Sequence, residues 1–181
     1  MTEPRASEPG RLIKEPVSEV VGSVPGPWEV SFPANHGAPP NAHFAELSSW
    51  TANSDPGVKY FSGTATYSTT FTANSSWMEK GARVQLNLGD VKDLAEVTLN
   101  GRQLGILWKH PFVADVTGAL HRGKNQLEVK VTNVWPNRII GDKQPGAQRI
   151  AYSTFDPYKA DSPLLPSGLL GPVTLSRVRQ P

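Results

Sequence analysis

Three stretches of strict alternation constrain this chain more than anything else in it. Val84, Leu86 and Leu88 alternate with Gln85 and Asn87; Val97 and Leu99 flank Thr98; Leu127, Val129 and Val131 alternate with Glu128, Lys130 and Thr132. A period of two puts one side chain set on a buried face and the other on a wet face, which is the pattern of an antiparallel sheet and not of a helix. Asn100-Gly101 separates two such runs, and both residue types tolerate the positive φ angles of a two-residue hairpin turn. The expected fold is therefore all-β, an antiparallel β-sandwich of jelly-roll type.

Reading outward from this centre, strands are expected at 28–32, 59–71, 84–88, 95–100, 102–107, 112–116, 126–133 and 173–178. Gly63 inside the long second run marks a bulge. A short helical turn is expected at 42–47, and 134–170 reads as irregular, with Pro136, Pro145, Pro157, Pro163 and Pro166 along it. Residues 1–25 are rich in Glu, Pro, Ser and Gly and read as a flexible linker, with one β-sandwich domain over 26–181.

Composition narrows the chemistry. With 18 basic and 16 acidic residues the net charge is +2, and the basic residues are scattered, so neither nucleic acid nor a membrane surface is an expected partner. No apolar run is long enough to span a bilayer, and 1–16 lacks the apolar centre of a signal peptide. There are no cysteines, which excludes disulfides, thiolate metal sites and cysteine catalysis. His36, His43, His110 and His121 show no zinc spacing. No Gly-x-Ser-x-Gly elbow occurs, and Glu29, Glu46, Glu79, Glu96 and Glu128 suggest no carboxylate pair for glycoside hydrolysis. The chain is not expected to be an enzyme by itself.

The order of motifs resembles a known family. Residues 60–71 look like an aromatic strand of the sugar-binding-type jelly-roll domain of glycoside hydrolase family 2, the β-galactosidases and β-glucuronidases. Residues 95–105 match its A-x-V-x-L-N-G-x-x-L-G hairpin, and 110–133 match its P-F-x-x-D-(V/I)-T…G-x-N-x-L-x-V-x-V-x-N run. The variants at 135–142 and 164–175 are similar to the C-terminal sandwich of family 106 α-L-rhamnosidases. The resemblance covers 26–178 and implies a galactose-binding-like topology. A catalytic barrel needs about 250 residues, so it also implies an accessory domain: a non-catalytic carbohydrate-binding module of a glycoside hydrolase, or a brace that packs on the catalytic domain without touching sugar. It further implies a secreted or periplasmic bacterial parent enzyme, a monomeric module, and a structural Ca²⁺ ion, for which Asp90, Asp93, Asp115, Asp142 and Asp161 are the candidate carboxylates.

Five tryptophans are generous for 181 residues. Sugars bind by stacking their C–H faces on aromatic rings while polar groups take the hydroxyls. Trp108 and His110 supply both at the end of a strand; the other reading of Trp108 is a plug at the core edge. Trp135, Asn137 and Arg138 follow the strongest strand and offer a ring and fixed donors; the other reading pairs Arg138 with Asp142 or Asp156 to pin the long loop. Tyr152, with Phe155, Tyr158, Trp50 and Tyr60, forms either a stacking platform or a staple for that loop. The ligand set is Trp108, His110, Trp135, Asn137, Arg138 and Tyr152, with oligo- or polysaccharide as ligand.

Overall fold

The computed structural model describes residues 16–179. Twelve strands occur in this span: β1 (Val17–Ser23), β2 (Trp28–Ser31), β3 (Asn41–Phe44), β4 (Thr64–Ala73), β5 (Arg83–Asn87), β6 (Asp90–Lys92), β7 (Leu94–Leu99), β8 (Arg102–Leu107), β9 (Val113–Asp115), β10 (Gly123–Thr132), β11 (Gly168–Gly171) and β12 (Thr174–Arg179). Two short helices, α1 (Pro56–Lys59) and α2 (Pro136–Gly141), lie in the loops. A six-stranded sheet in the order β3-β2-β4-β10-β7-β8 packs against a four-stranded sheet in the order β1-β12-β5-β9, and β11 pairs with β6 as a separate ribbon. Every strand pairing is antiparallel. The fold is the expected antiparallel β-sandwich.

The long central pair, β4 and β10, runs in unbroken register from Gly123 opposite Ala73 to Thr132 opposite Thr64. Leu127, Val129 and Val131 meet Ala65 and Tyr67 on the inner face, and all of these are fully buried. Full burial stabilises each large aliphatic side chain by about 1.5–3 kcal/mol. Aromatic rings fill one end of the core: Trp50 stacks on Tyr67 at 6.3 Å between ring centres and meets Phe61 edge-on at 5.2 Å. The Tyr67 hydroxyl accepts from the Leu169 amide at 3.1 Å, which joins the ribbon to the core. Burial holds the Tyr67 phenol far above its ordinary titration range.

The Asn100-Gly101 hairpin forms as expected, with φ of 52° and 78° and Leu99 opposite Arg102. The bulge lies elsewhere than expected. Val97 opposes Gly105 while Thr98 opposes Gln103, so Leu104 is the extra residue. Gly63 instead precedes β4, and residues 59–62 are not strand: Asp55 caps the Gly57 amide at 2.7 Å and Pro56 opens α1. The helical turn expected at 42–47 is β3, whose Phe44 pairs with Trp28 and is buried beside Tyr67. Within 134–170, α2 is ordered because its whole length is buried.

The linker expected over 1–25 ends earlier. Residues 1–15 lie outside the described span, but β1 pairs along its length with β12, from Val17 opposite Arg179 to Ser23 opposite Thr174. The domain thus includes residues well before 26. As an edge strand with Val17 and Val20 exposed, β1 lacks the alternation that reveals a strand. Charge helps hold it. Arg177 of β12 reaches Glu19 of β1 at 2.6 Å and also pairs with Glu79, which Arg179 meets at 2.6 Å. The hydrogen bond from Arg179, helped by both guanidinium charges, holds the Glu79 carboxyl below the ordinary glutamate value.

A group depressed in the folded state contributes stability above its unfolded pKa and loses it as pH falls through the folded value. Acidification through the carboxylate range should therefore loosen β1 and the segment 74–81, which leads from β4 into β5 and carries Glu79, before the β4–β10 pair. Amide hydrogen exchange would show β1 protection falling first. Glu79→Gln should reproduce the loosening at neutral pH, and equal protection loss in β1 and β10 would refute the assignment.

Candidate functional site

One end of the sandwich collects the candidate residues. Thr64 opposes Thr132, Thr132 opposes Leu94, and Leu107 opposes Ala95, so the start of β4, the end of β10, the start of β7 and the end of β8 form a row. Trp108 leaves the row from β8. Asn133, Val134 and Trp135 leave it from β10, two strands away, a distance of about 10 Å. Trp108 is 69% exposed and Trp135 is 64% exposed. Neither is the core-edge plug that a buried tryptophan would be.

Polar groups stand beside Trp108. Asp90, at the start of β6, has Oδ1 2.8 Å from Lys92 Nζ and 3.8 Å from His110 Nε2. The His110 ring meets the buried Phe112 edge-on at 4.6 Å, which fixes its place on the rim. Lys109 holds its ammonium 5.4 Å from the Trp108 ring centre. The loop after β8 thus carries an exposed indole with one ammonium near its ring and, two residues on, an imidazole that faces the Asp90–Lys92 pair. Sequence reasoning placed Trp108 and His110 here but treated Asp90 only as a metal candidate and did not single out Lys92. The signal was available, since Asp90 and Lys92 sit two apart on a strand and share one face.

Trp135 belongs to the same end for a different reason. It occupies the N-cap position of α2. The chain is pinned just before it: the Asn133 side chain accepts from the Gly63 amide at 2.9 Å and donates to the Phe61 carbonyl at 2.9 Å. The backbone is thus fixed while the indole projects outward.

Asn137 and Arg138 do not join this surface. Asn137 is 2% exposed, and its amide donates to the Leu165 carbonyl at 2.7 Å and the Ser167 hydroxyl at 2.8 Å while accepting from the Leu165 amide at 2.8 Å. Every polar atom of that side chain is engaged in locking α2 to the segment before β11. Arg138 pairs with Asp142 at 2.9 Å, with side chains only 10% and 4% exposed. The other oxygen of Asp142 accepts from the Ile150 and Ala151 amides at 3.0 and 2.7 Å. These two expected ligand residues are structural pins of the long loop. Tyr152, the next residue along, is 80% exposed on that loop.

The aromatic set weighed together in the sequence divides. Trp50 is a core residue, whereas Tyr152 and Phe155 face outward. The carboxylates expected to hold calcium do not come together among the described residues. Calcium takes six to eight oxygen ligands, and among the described residues no group of three or more His, Cys, Asp or Glu side chains converges. Asp142 is engaged as above. Asp115 is turned to Thr117, whose hydroxyl and amide hydrogen bonds hold its carboxyl below the ordinary range despite partial burial.

Comparison with known proteins bears on these features. The family described as glycosyl hydrolase 2 galactose-binding domain-like matches residues 49–160. The chain belongs to this family. It is 38% identical over 191 residues to a putative β-glucuronidase of Formosa agariphila, a match covering 88% of this chain and 16% of that protein. A rhamnosidase from Novosphingobium sp. PP1Y superposes with a TM-score of 0.88 at 42% identity, over 95% of this chain and 16% of that one. A β-D-glucuronidase of Dictyoglomus thermophilum shares the fold, with a TM-score of 0.61 at 19% identity over 90% of this chain and 28% of that one. The galactose-binding-like domain therefore spans only a small part of the relatives it matches.

Proposed function

We propose that this galactose-binding-like domain is a carbohydrate-binding accessory module of a glycoside hydrolase that takes a saccharide on the end surface between Trp108 and Trp135. The observation that carries the reading is the joint exposure of these two indoles on one end of a single sheet, with Asp90, Lys92 and His110 around the first. Indole faces stack on the C–H faces of sugar rings, and the charged rim offers acceptors and donors to the hydroxyls. The surface is open, so the ligand is one or two rings of a longer chain, held weakly. Hydrolysis is assigned to the catalytic part of a parent enzyme, which acts outside the cell or in the periplasm on plant or microbial polysaccharide.

A second reading rests on the same family membership. Because the domain makes up 16% of the similar rhamnosidase, its exposed aromatics are also suited to packing on a catalytic domain as a brace. Titration of the chain with a panel of neutral and acidic oligosaccharides distinguishes the two. Saturable millimolar binding that weakens at least tenfold in Trp108→Ala and in Trp135→Ala is the expected result. Absence of binding across the panel, together with self-association of the isolated chain through this end, would favour the brace.

A further inference from the structure

Away from Trp108, the chain returning after α2 encloses a second polar hollow. Ile139, Asp142 and Lys143 form the wall on the α2 side, and Arg149, Ser153 and Asp156 form the wall on the returning side, around a volume of about 160 Å³. That is below the roughly 300–1,000 Å³ of sites for drug-sized ligands, and it suits one small ring rather than a polymer segment.

The charges of the hollow are compensated, with one exception. Lys143 Nζ lies 2.8 Å from Asp156 Oδ2. Both Asp142 oxygens are engaged, one by Arg138 and the other by two backbone amides. Arg149 alone lacks an acidic partner among the described residues. Its Nε donates to the Ala151 carbonyl at 3.1 Å, and its guanidinium carbon sits 4.3 Å from the Tyr152 ring centre. One hydrogen bond and one stacked ring orient the exposed fork and leave both terminal nitrogens free. A planar guanidinium oriented this way matches a carboxylate in two parallel hydrogen bonds.

We infer that this hollow is a subsite for a carboxylate-bearing monosaccharide, a uronate, with its carboxylate on the Arg149 fork and its hydroxyls on the Ser153 and Asp156 side chains. The Ser153 hydroxyl donates to the Phe155 carbonyl, so its oxygen stays free to accept from a sugar hydroxyl. Asp156 offers its carboxylate, and Lys143 its remaining N–H groups. The carboxylate half of the inference stands on Arg149 alone; the saccharide half rests on the carbohydrate-binding reading above. The Arg138–Asp142 pair gains a purpose from it, because Asp142 holds the 150–151 backbone from which Tyr152 and Arg149 are presented.

Glucuronate and glucose differ only in a carboxylate against a hydroxymethyl group, so they are the probes. Titration of the full chain at low salt, followed by calorimetry and by amide chemical shifts, should give millimolar binding of glucuronate and at least tenfold weaker binding of glucose. The shifts should cluster at 139–156. Arg149→Gln should abolish the preference, and Trp108→Ala should leave it intact. Equal binding of the two sugars, or a glucuronate affinity unchanged in Arg149→Gln, would overturn the inference. Acetate binding as tightly as glucuronate would overturn its saccharide half and indicate a carboxylate side chain of a protein partner instead. Neutral oligosaccharide binding that depends on Trp108, in the same titrations, reports on the end surface independently.

Discussion

Asp142→Ala should destabilise the domain by about 3–5 kcal/mol, the usual cost of removing one partner from a buried ion pair. The size follows from what the substitution leaves behind. Arg138 would keep its charge in a site where it is almost inaccessible to water, 2.9 Å from a partner no longer present. The Ile150 and Ala151 amides would lose their acceptor at the same time. The effect is measurable as a fall in the urea midpoint at unchanged slope. Replacing both Arg138 and Asp142 by leucine should cost less than Asp142→Ala alone, because no charge is then stranded. Hydrogen exchange should show loss of protection centred on 149–153. A double variant as unstable as the sum of the two single variants would refute the pairing.

Asn125→Leu should cost about 3 kcal/mol or more, although the two side chains share the same branched skeleton. Asn125 is 1% exposed and makes four hydrogen bonds. It accepts from the His121 amide at 2.9 Å and the Asn100 side chain at 2.8 Å, and donates to the His121 and Gly123 carbonyls at 2.7 and 2.8 Å. Asn100 in turn accepts from the Gln126 amide at 2.9 Å and donates to the Ala119 carbonyl at 2.7 Å. The β7–β8 hairpin turn and the β9–β10 connection, which crosses from one sheet to the other, are thus tied by one side chain. Each buried polar group left unpaired costs about 1–3 kcal/mol. Asn125→Asp gives a sharper test. The two acceptor bonds survive, but a carboxylate would face two carbonyls, so its pKa is raised in the folded state. Stability of that variant should therefore recover as pH falls and the acid gains a proton to donate. A pH-independent deficit would show that the donor bonds do not matter.

These residues also mark where the sequence was and was not legible. Alternation revealed the strands that bury one face and wet the other, and Asn100-Gly101 revealed its turn, because both signals are local. β1, β3, β6 and β11 were missed for physical reasons. β1 is an edge strand with exposed valines, β3 has four residues after two prolines, and β6 and β11 are a three- and four-residue ribbon flanked by glycines. In each, pairing partners far away in the chain decide the structure. Asn137 and Arg138 looked like ligand residues because they are polar in a loop, yet burial against 165–167 and Asp142 makes them pins. The exposure of Trp108 and Trp135 was not legible, since a core-edge plug was an equally open reading of Trp108; it is a property of the packed sandwich and not of their neighbours in sequence.

The pairing of β1 with β12 has a consequence for how such a domain travels between proteins. Val17 lies opposite Arg179, so the polypeptide arrives and departs about one strand spacing, some 5 Å, apart. Arg179 lies beyond Val178, which pairs with Arg83, whereas the Trp108 end is marked by Asn87 opposite Val113. Val17 and Arg179 therefore both lie at the end away from the exposed indoles. A host chain interrupted at a surface loop could accept this unit with hardly any widening of the loop. The inserted sandwich would then stand out from its host like a plug in a socket, wired at one end and open at the other.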